Sequence, residues 1–588
     1  MRGRQLAALA ALTLVISMVS AVSVAAKPRP QDQTSPPIAQ DDTLDVGDDY
    51  NGGRPLPFAG RPQAQLRRSQ VGSETAGRVK VGDKRTWLAL DDAKDVFYLK
   101  DFKFRGKGKH IEVWTAADKD KVSKKLRFRK GDCRNGRRTR ITKKQVRYFI
   151  KQFGNNIYPK MSDAFSVPPR RNGKKATLDD QLKDANIPKN YWKGQGDNIV
   201  VLVDNVRDAN FYDLDNRHEF SYIAGFVTSF FNDAVDRNVM SIDAFDWIHR
   251  TRANPPNDPA PGSPCKNAPA RPFLYEGTFA HEYQHLLESY QDPDERHWID
   301  EGLADWAQTI TGYVDPSRPI TNQDFDSHIQ CFLGYLIVET PANPSPDPGG
   351  PENSLTLWRD QVDDNESEIL CDYGAAYTMM EFLAGRYGRE FMSAVHKEDA
   401  RGFEGLRRVL DAFSVDVEVL GLLHQWAAMV ALDGVLDDGA ALSGGDPADY
   451  TTPTLDATIN WDNPEAYDTP GAPPNGSDYV RLRDASGAFL SATEIETIEF
   501  DGSDAHGFTV QLVAYDEAHT QARISTMALD ESLDGELSGS ALTDAIGSAD
   551  AEVVAAIVTY DEPTETVEDY APYVLTVNGV VQPGGSET

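Results

Sequence analysis

The chain has 588 residues, with 60 basic against 91 acidic side chains and a formal net charge of −31. That length predicts two or three domains, and so acidic a balance argues against nucleic acid or an anionic membrane as a partner. Four cysteines, none in C-x-x-C spacing, argue against a zinc–thiolate site.

Residues 1–5 are basic, 6–22 form an apolar run and 23–26 are small. This is the three-part pattern of a secretory signal peptide over 1–26, with an uncleaved anchor as the alternative. No other apolar run approaches the ~18 residues that span a bilayer, so the mature protein is expected to be soluble and extracellular. Residues 27–74, rich in Pro, Gln, Asp and Gly, read as a flexible leader. Alternating stretches at 85–90, 96–99 and 110–114 predict a small β region over 75–140, either a propeptide or a structural module. The basic pairs Lys124-Lys125, Arg137-Arg138 and Lys143-Lys144 lack interleaved aromatics and read as a solvated or docking face.

From residue 141 the pattern is mixed. Residues 143–153 have helical spacing, 198–203 form the continuous apolar run of a buried strand, and 222–227 and 239–242 are further strands. Asp204, Asp208, Asp213 and Asp215 are close enough in sequence to gather around Ca²⁺, with a solvated acidic loop as the alternative.

The segment His281-Glu282-Tyr283-Gln284-His285 carries the most chemistry. Helical residues i and i+4 share a face, so both imidazoles can bind one metal ion as neutral nitrogen ligands. Glu282 is then placed to take a proton from a water that the metal activates. A catalytic zinc takes three protein ligands and keeps one position open. Glu301, sixteen residues past His285, leaves room for a turn and a returning helix. Asp305, one turn further on, can accept the outer N–H of an imidazole ligand and fix its tautomer.

At these residues the chain resembles the gluzincin group of zinc metallopeptidases, in which H-E-x-x-H is completed by a Glu on a second helix. Thermolysin-like members also carry an Asp four residues after that Glu. The tract Trp298-Ile299-Asp300-Glu301-Gly302-Leu303-Ala304-Asp305-Trp306 is most similar to secreted hyicolysin-type neutral metalloproteases, tightly over 278–312 and loosely over 195–430. Glu288 and Gln291 stand where metzincins place a Gly and the third ligand, which excludes that clan.

The resemblance implies His281, His285 and Glu301 as zinc ligands, Glu282 as catalytic base and Asp305 behind a ligand. It also implies an upper sheet whose edge strand pairs with a peptide substrate. Residues 222–227, with Gly225, can fill that role by strand addition, or can be an ordinary sheet strand. Aminopeptidase-type relatives place an oxyanion donor in a Tyr-Glu-Lys-Gly motif; Tyr373-Gly374 is similar in position but lacks the Glu-Lys pair. His424 is the alternative donor, and packing is the competing role for both. No G-x-M-x-N tract of the aminopeptidase kind is present, so endopeptidase action is expected.

After 312, residues 374–387, 390–397, 405–413 and 419–430 have the spacing of a helical lobe. Strands at 480–482, 508–513, 553–558 and 573–577 predict a C-terminal β-sandwich of about 120 residues. From residue 431 three basic side chains face 31 acidic ones, a solubilising surface or one that takes calcium or a cationic partner. Cys331 with Cys371 is the preferred disulfide, leaving Cys133 with Cys265.

The expected fold is α+β: a zincin-like catalytic domain over 141–445, with a mixed sheet and a helical lobe, between the N-terminal β region and a sandwich over 450–588. The expected protein is a secreted, monomeric zinc endopeptidase acting on protein or peptide substrates. A catalytically silent zinc-binding or adhesion protein and a non-peptide zinc hydrolase are the alternatives.

Overall fold

A computed structural model describes residues 43–44, 79–117, 134–178, 190–212, 222–260, 266–320, 327–335, 350–360, 369–461, 470–547 and 550–585. The signal peptide, most of the leader, Cys133, Cys265, Asp213 and Asp215 lie outside the described residues.

The chain is α+β. Its first sheet contains β1 (Lys84–Asp91), β2 (Val96–Lys107), β3 (Ile111–Ala116), β4 (Ile199–Asp204), β5 (Gly225–Phe226) and β6 (Val239–Asp243), in the order β1-β2-β3-β4-β6-β5. β1 to β3 form an antiparallel meander, and β3, β4 and β6 run parallel. β5 lies at the edge, antiparallel to β6, with Gly225 opposite Ile242. Just before β5, Tyr222–Ile223 pairs in parallel with Thr43–Leu44, so this part of the leader is a strand rather than irregular chain.

β4 is buried on both faces, as its unbroken apolar run requires. Ile199, Val201 and Val203 join one core with Phe279 and Tyr283. Val200 and Leu202 face the other way, into a second core with Trp87 and Trp114; the division follows the two-residue period of a pleated strand. The N-terminal β region is therefore not a module apart. β3 is buried throughout and pairs with β4 from Ile111↔Ile199 to Thr115↔Val203. Without that partner it would present a bare apolar edge, and the boundary expected near 140 gives way to one continuous sheet.

α1 (Lys143–Gln152) begins with a capping box: the Thr142 hydroxyl accepts from Gln145 N–H, and the Gln145 side chain accepts from Thr142 N–H. Its Phe149 packs on Trp247 and on Phe279 of α2 (Leu274–Glu288). α2 is buried from Tyr275 to Glu288 and packs against α3 (His297–Thr311). Gly302 lets α3 approach α5 (Ile369–Val395); a Cβ there would stand 2.9 Å from the Ala376 carbonyl oxygen. The Cys331–Cys371 disulfide ties α4 (Ser327–Phe332) to α5. The separate helices expected over 374–387 and 390–397 run together as α5, interrupted at Gly388, where φ is 79°.

α6 (Gly402–Ala412) leads to α7 (Val419–Asp437), which is long and apolar enough to cross a bilayer by composition. Its packing accounts for that. Trp426 stacks on Phe332 of α4, and the Ala427 carbonyl accepts from the Tyr479 hydroxyl. A helix apolar on every side belongs in a core.

Tyr479 belongs to the C-terminal region. There β7 (Ala441–Ser443), β8 (Ser477–Arg481), β10 (Gly507–Tyr515), β11 (Gln521–Thr526) and β13 (Val553–Asp561) form a sheet in the order β8-β13-β10-β11-β7. A second sheet, β12-β9-β14-β15, comprises β9 (Thr497–Gly502), β12 (Asp534–Ser538), β14 (Tyr573–Val577) and β15 (Val580–Val581). β13 is buried almost throughout, so its sheet is covered on both faces around that strand, whereas β9 and β14 alternate and have one face covered. The hydrophobic core runs unbroken from α2 through α7 into these strands, and no break in it marks the boundary expected at 445–450.

Two buried carboxyls brace the edge of the first sheet. Asp208 accepts from Phe211 and Ile223 N–H, and Asp243 from Val206 and Phe245 N–H. Burial pushes Asp208 up to about 7 and Asp243 up to about 8. The folded protein therefore keeps protons that the unfolded chain gives up near pH 4, so stability is present in full below that pH and falls as pH rises towards 8. Urea unfolding of Asp243→Asn across pH 4–8 is expected to show a shallower fall than the parent protein, and equal slopes would refute the assigned shift.

Candidate metal centre

A helix buried on all sides can carry polar residues only if each finds a partner. On α2 the partners come from α3. His281 and His285 lie one turn apart, and Glu301 reaches both from α3. The two Nε2 atoms stand 3.0 Å apart, and each lies 3.3 Å from Glu301 Oε2.

The tautomers follow from the far side of each ring. His281 Nδ1 donates to Asp305 Oδ1 at 2.8 Å, and His285 Nδ1 to Asp300 Oδ1 at 3.1 Å. With both Nδ1 atoms protonated, each neutral imidazole aims an Nε2 lone pair at the other and at the Glu301 carboxylate. Three converging lone pairs repel unless a cation or protons lie among them. Tetrahedral zinc bonds of about 2.0–2.1 Å place ligand atoms about 3.3 Å apart, so the spacing fits one ion. Among the described residues this is the one group of three such side chains whose ligand atoms converge, and it can hold a metal ion.

The charges agree with that reading. Burial disfavours an imidazolium at His281, but hydrogen bonds to Asp305 and Glu301 outweigh it and push the group up to about 10. A proton is thus drawn to the place a cation would take, and metal binding must displace it. Burial alone would raise Glu301 and Asp305. The histidines beside them prevail, holding Glu301 low through His285 and His281 and Asp305 low through His328 and His281.

The other residues singled out by the sequence are placed as follows. Glu282 is buried beside Gly225, where a Cβ would come within 2.5 Å of Glu282 Oε1. The edge segment that carries Gly225 therefore passes directly against this carboxylate. The Tyr373 hydroxyl lies 3.5 Å from Glu301 Oε1, within the centre. His424 does not join it; its Nε2 meets Asp561 Oδ1 at 2.6 Å and ties α7 to β13.

Of the four acids considered for calcium, Asp213 and Asp215 lie outside the described residues. Asp204 pairs with Lys100, and Asp208 is turned to the backbone N–H groups already named. Two residues of the centre carried no signal of their own. Asp300 precedes Glu301 and was legible only as its neighbour. His328, whose Nδ1 donates to Asp305 Oδ2 at 2.7 Å, lies in a stretch without a motif.

Purified protein is expected to bind one equivalent of a divalent transition metal, measured by elemental analysis. His285→Ala or Glu301→Gln should abolish binding, whereas Asp300→Asn should weaken it by about 10–100-fold without abolishing it. Full metal content in Glu301→Gln would remove Glu301 from the ligand set.

No protein-family model matches the chain, and no characterised protein sequence matches it, so the functional reading rests on the geometry of this centre.

Proposed function

We propose that the protein is a secreted zinc-dependent endopeptidase with a gluzincin-type centre. In this reading the first sheet and the helices form a zincin-like catalytic domain, and the two C-terminal sheets form an appended sandwich. The observation that carries the proposal is the position of Glu282. It follows the ligand His281 directly, is buried, and faces the edge segment at Gly225. A peptide added as a further strand at Gly225–Phe226 would pass close to this carboxylate.

Two neutral imidazoles and one carboxylate form the donor set of catalytic zinc in hydrolases. Bound there, zinc would supply a Lewis acid that makes water a nucleophile near neutral pH and polarises a carbonyl. Glu282 accepts the proton of the attacking water and returns it to the leaving amine, as general base and then acid. The Tyr373 hydroxyl donates to the carbonyl oxygen as it gains charge. Asp305 and Asp300 keep the Nδ1 protons in place, and with them the ligand lone pairs.

Secretion is supported by the pattern of residues 1–26 and by the Cys331–Cys371 disulfide, which suits an oxidising compartment. The substrate is a protein or peptide taken by a monomer. The acidic C-terminal region acts as a solubilising surface with no role in binding nucleic acid or membrane.

A casein zymogram with and without a zinc chelator tests this reading. Chelator-sensitive clearing is expected, and no clearing by zinc-loaded protein would overturn it in favour of a binding module or a non-peptide hydrolase. Glu282→Gln should lower kcat by about 10²–10⁴-fold with zinc affinity unchanged. Gly225→Ala should displace Glu282 and cost about 10²-fold in turnover while the metal stays bound.

A further inference from the structure

We propose that His328 is a positioning residue that holds two parts of the metal centre at once: the Asp305 carboxylate behind His281 and the Tyr373 phenol. The inference rests on the metal-site reading, and for Tyr373 on the hydrolytic one.

Asp305 is completely buried, and its two oxygens are divided among three donors. Oδ1 accepts from His281 Nδ1 and from Gln308 Nε2, both at 2.8 Å, and Oδ2 accepts from His328 Nδ1 at 2.7 Å. A buried carboxylate stays ionised and oriented only while donors occupy it. His328 is the donor that covers Oδ2, so it governs how Oδ1 meets the ligand.

The other face of His328 lies against Tyr373. The rings stack with centroids 4.8 Å apart and 25° between their planes. Trp358 packs edge-on against the same phenol at 5.2 Å. Packing on the ring holds the Tyr373 side chain, and with it the oxygen, in place beside Glu301, and because a phenol O–H prefers the plane of its ring, the fixed plane also restricts where that bond points. The approach is built into the backbone as well. At Gly374 a Cβ would stand 2.1 Å from the His328 carbonyl oxygen, so only glycine lets α4 and α5 come this close. The Cys331–Cys371 disulfide, three residues past His328 and two before Tyr373, ties the same two helices at the same level.

Two substitutions in the full-length protein separate the roles. His328→Asn retains an N–H near the position of Nδ1 and loses the ring, whereas His328→Phe retains a ring and loses the N–H. Zinc affinity is read by competition with a chromophoric chelator, in samples matched by circular dichroism and thermal midpoint. His328→Phe should bind zinc about 10–100-fold more weakly, and the double variant with Asp305→Ala no more weakly than Asp305→Ala alone. His328→Asn should bind within about threefold of wild type, and its crystal structure should show the Tyr373 ring turned from its place. Its kcat should fall with KM unchanged, and His328→Asn with Tyr373→Phe should be no slower than Tyr373→Phe alone.

Wild-type zinc affinity in His328→Phe, or an unmoved Tyr373 in His328→Asn, overturns the proposal. So does a loss of zinc and of thermal midpoint in both variants alike, which would make His328 a packing residue. The zinc and crystallographic measurements need no turnover. If the wild-type protein binds zinc but cleaves nothing, the protease reading fails while these two still decide the role of His328.

Discussion

Three lone pairs held within 3.3 Å of one another among buried side chains set the terms for everything packed around them. His281 and His285 on α2 and Glu301 on α3 are buried, so their mutual repulsion is poorly screened. The arrangement is tolerable only with positive charge at its centre and with the imidazole tautomers fixed from outside. Asp305 and Asp300 fix them, one carboxylate behind each ring. Asp305 is in turn a buried charge that needs donors, and His328 and Gln308 provide them. Each tier of polar residues exists because the one inside it would otherwise be unstable.

The scaffold keeps this arrangement rigid from several directions. The buried strand β4 presents Ile199, Val201 and Val203 to the core that receives Phe279 and Tyr283 of α2. The edge segment at Gly225 approaches Glu282 so closely that no side chain fits between them. From the far end of the chain, Glu565 accepts from Trp298 Nε1 at 2.9 Å, near the start of the helix that carries Glu301, and from Phe403 N–H. The C-terminal region is acidic at its surface, yet through α7, Asp561 and Glu565 it shares the core of the helices. The boundaries suggested by composition follow where charge accumulates. The packing follows where apolar surface must be covered, and the two differ here.

Legibility in the sequence tracked the range of the interaction. The placement of His281, Glu282 and His285 depends on the pitch of a single helix, and Glu301 with Asp305 repeats that logic on the next one. β4 was readable because burial on both faces leaves an unbroken apolar run. β12 was not: its alternating exposed residues include Asp534 and Glu536, and charge on an outer strand conceals strand character. Asp300 required knowing which face of α3 meets His285. His328 required knowing that α4 folds back onto α5, and no local pattern encodes that approach. His424 looked eligible as an oxyanion donor because a lone histidine is ambiguous until its neighbour is known, and its neighbour is Asp561.

The sequence by itself determined the donor set and its spacing along two helices, because helical periodicity is local and carries over into any fold that keeps those helices. It also determined the buried central strand and the helix rich in apolar residues at 419–437. Tertiary structure decided that α2 and α3 face each other closely enough for three ligand atoms to converge. It decided that the N-terminal strands belong to the same sheet as β4, and that His328 and Tyr373 meet across a gap only Gly374 permits. Those outcomes turn on contacts between residues tens to hundreds of positions apart, where the deciding quantity is the close packing of surfaces.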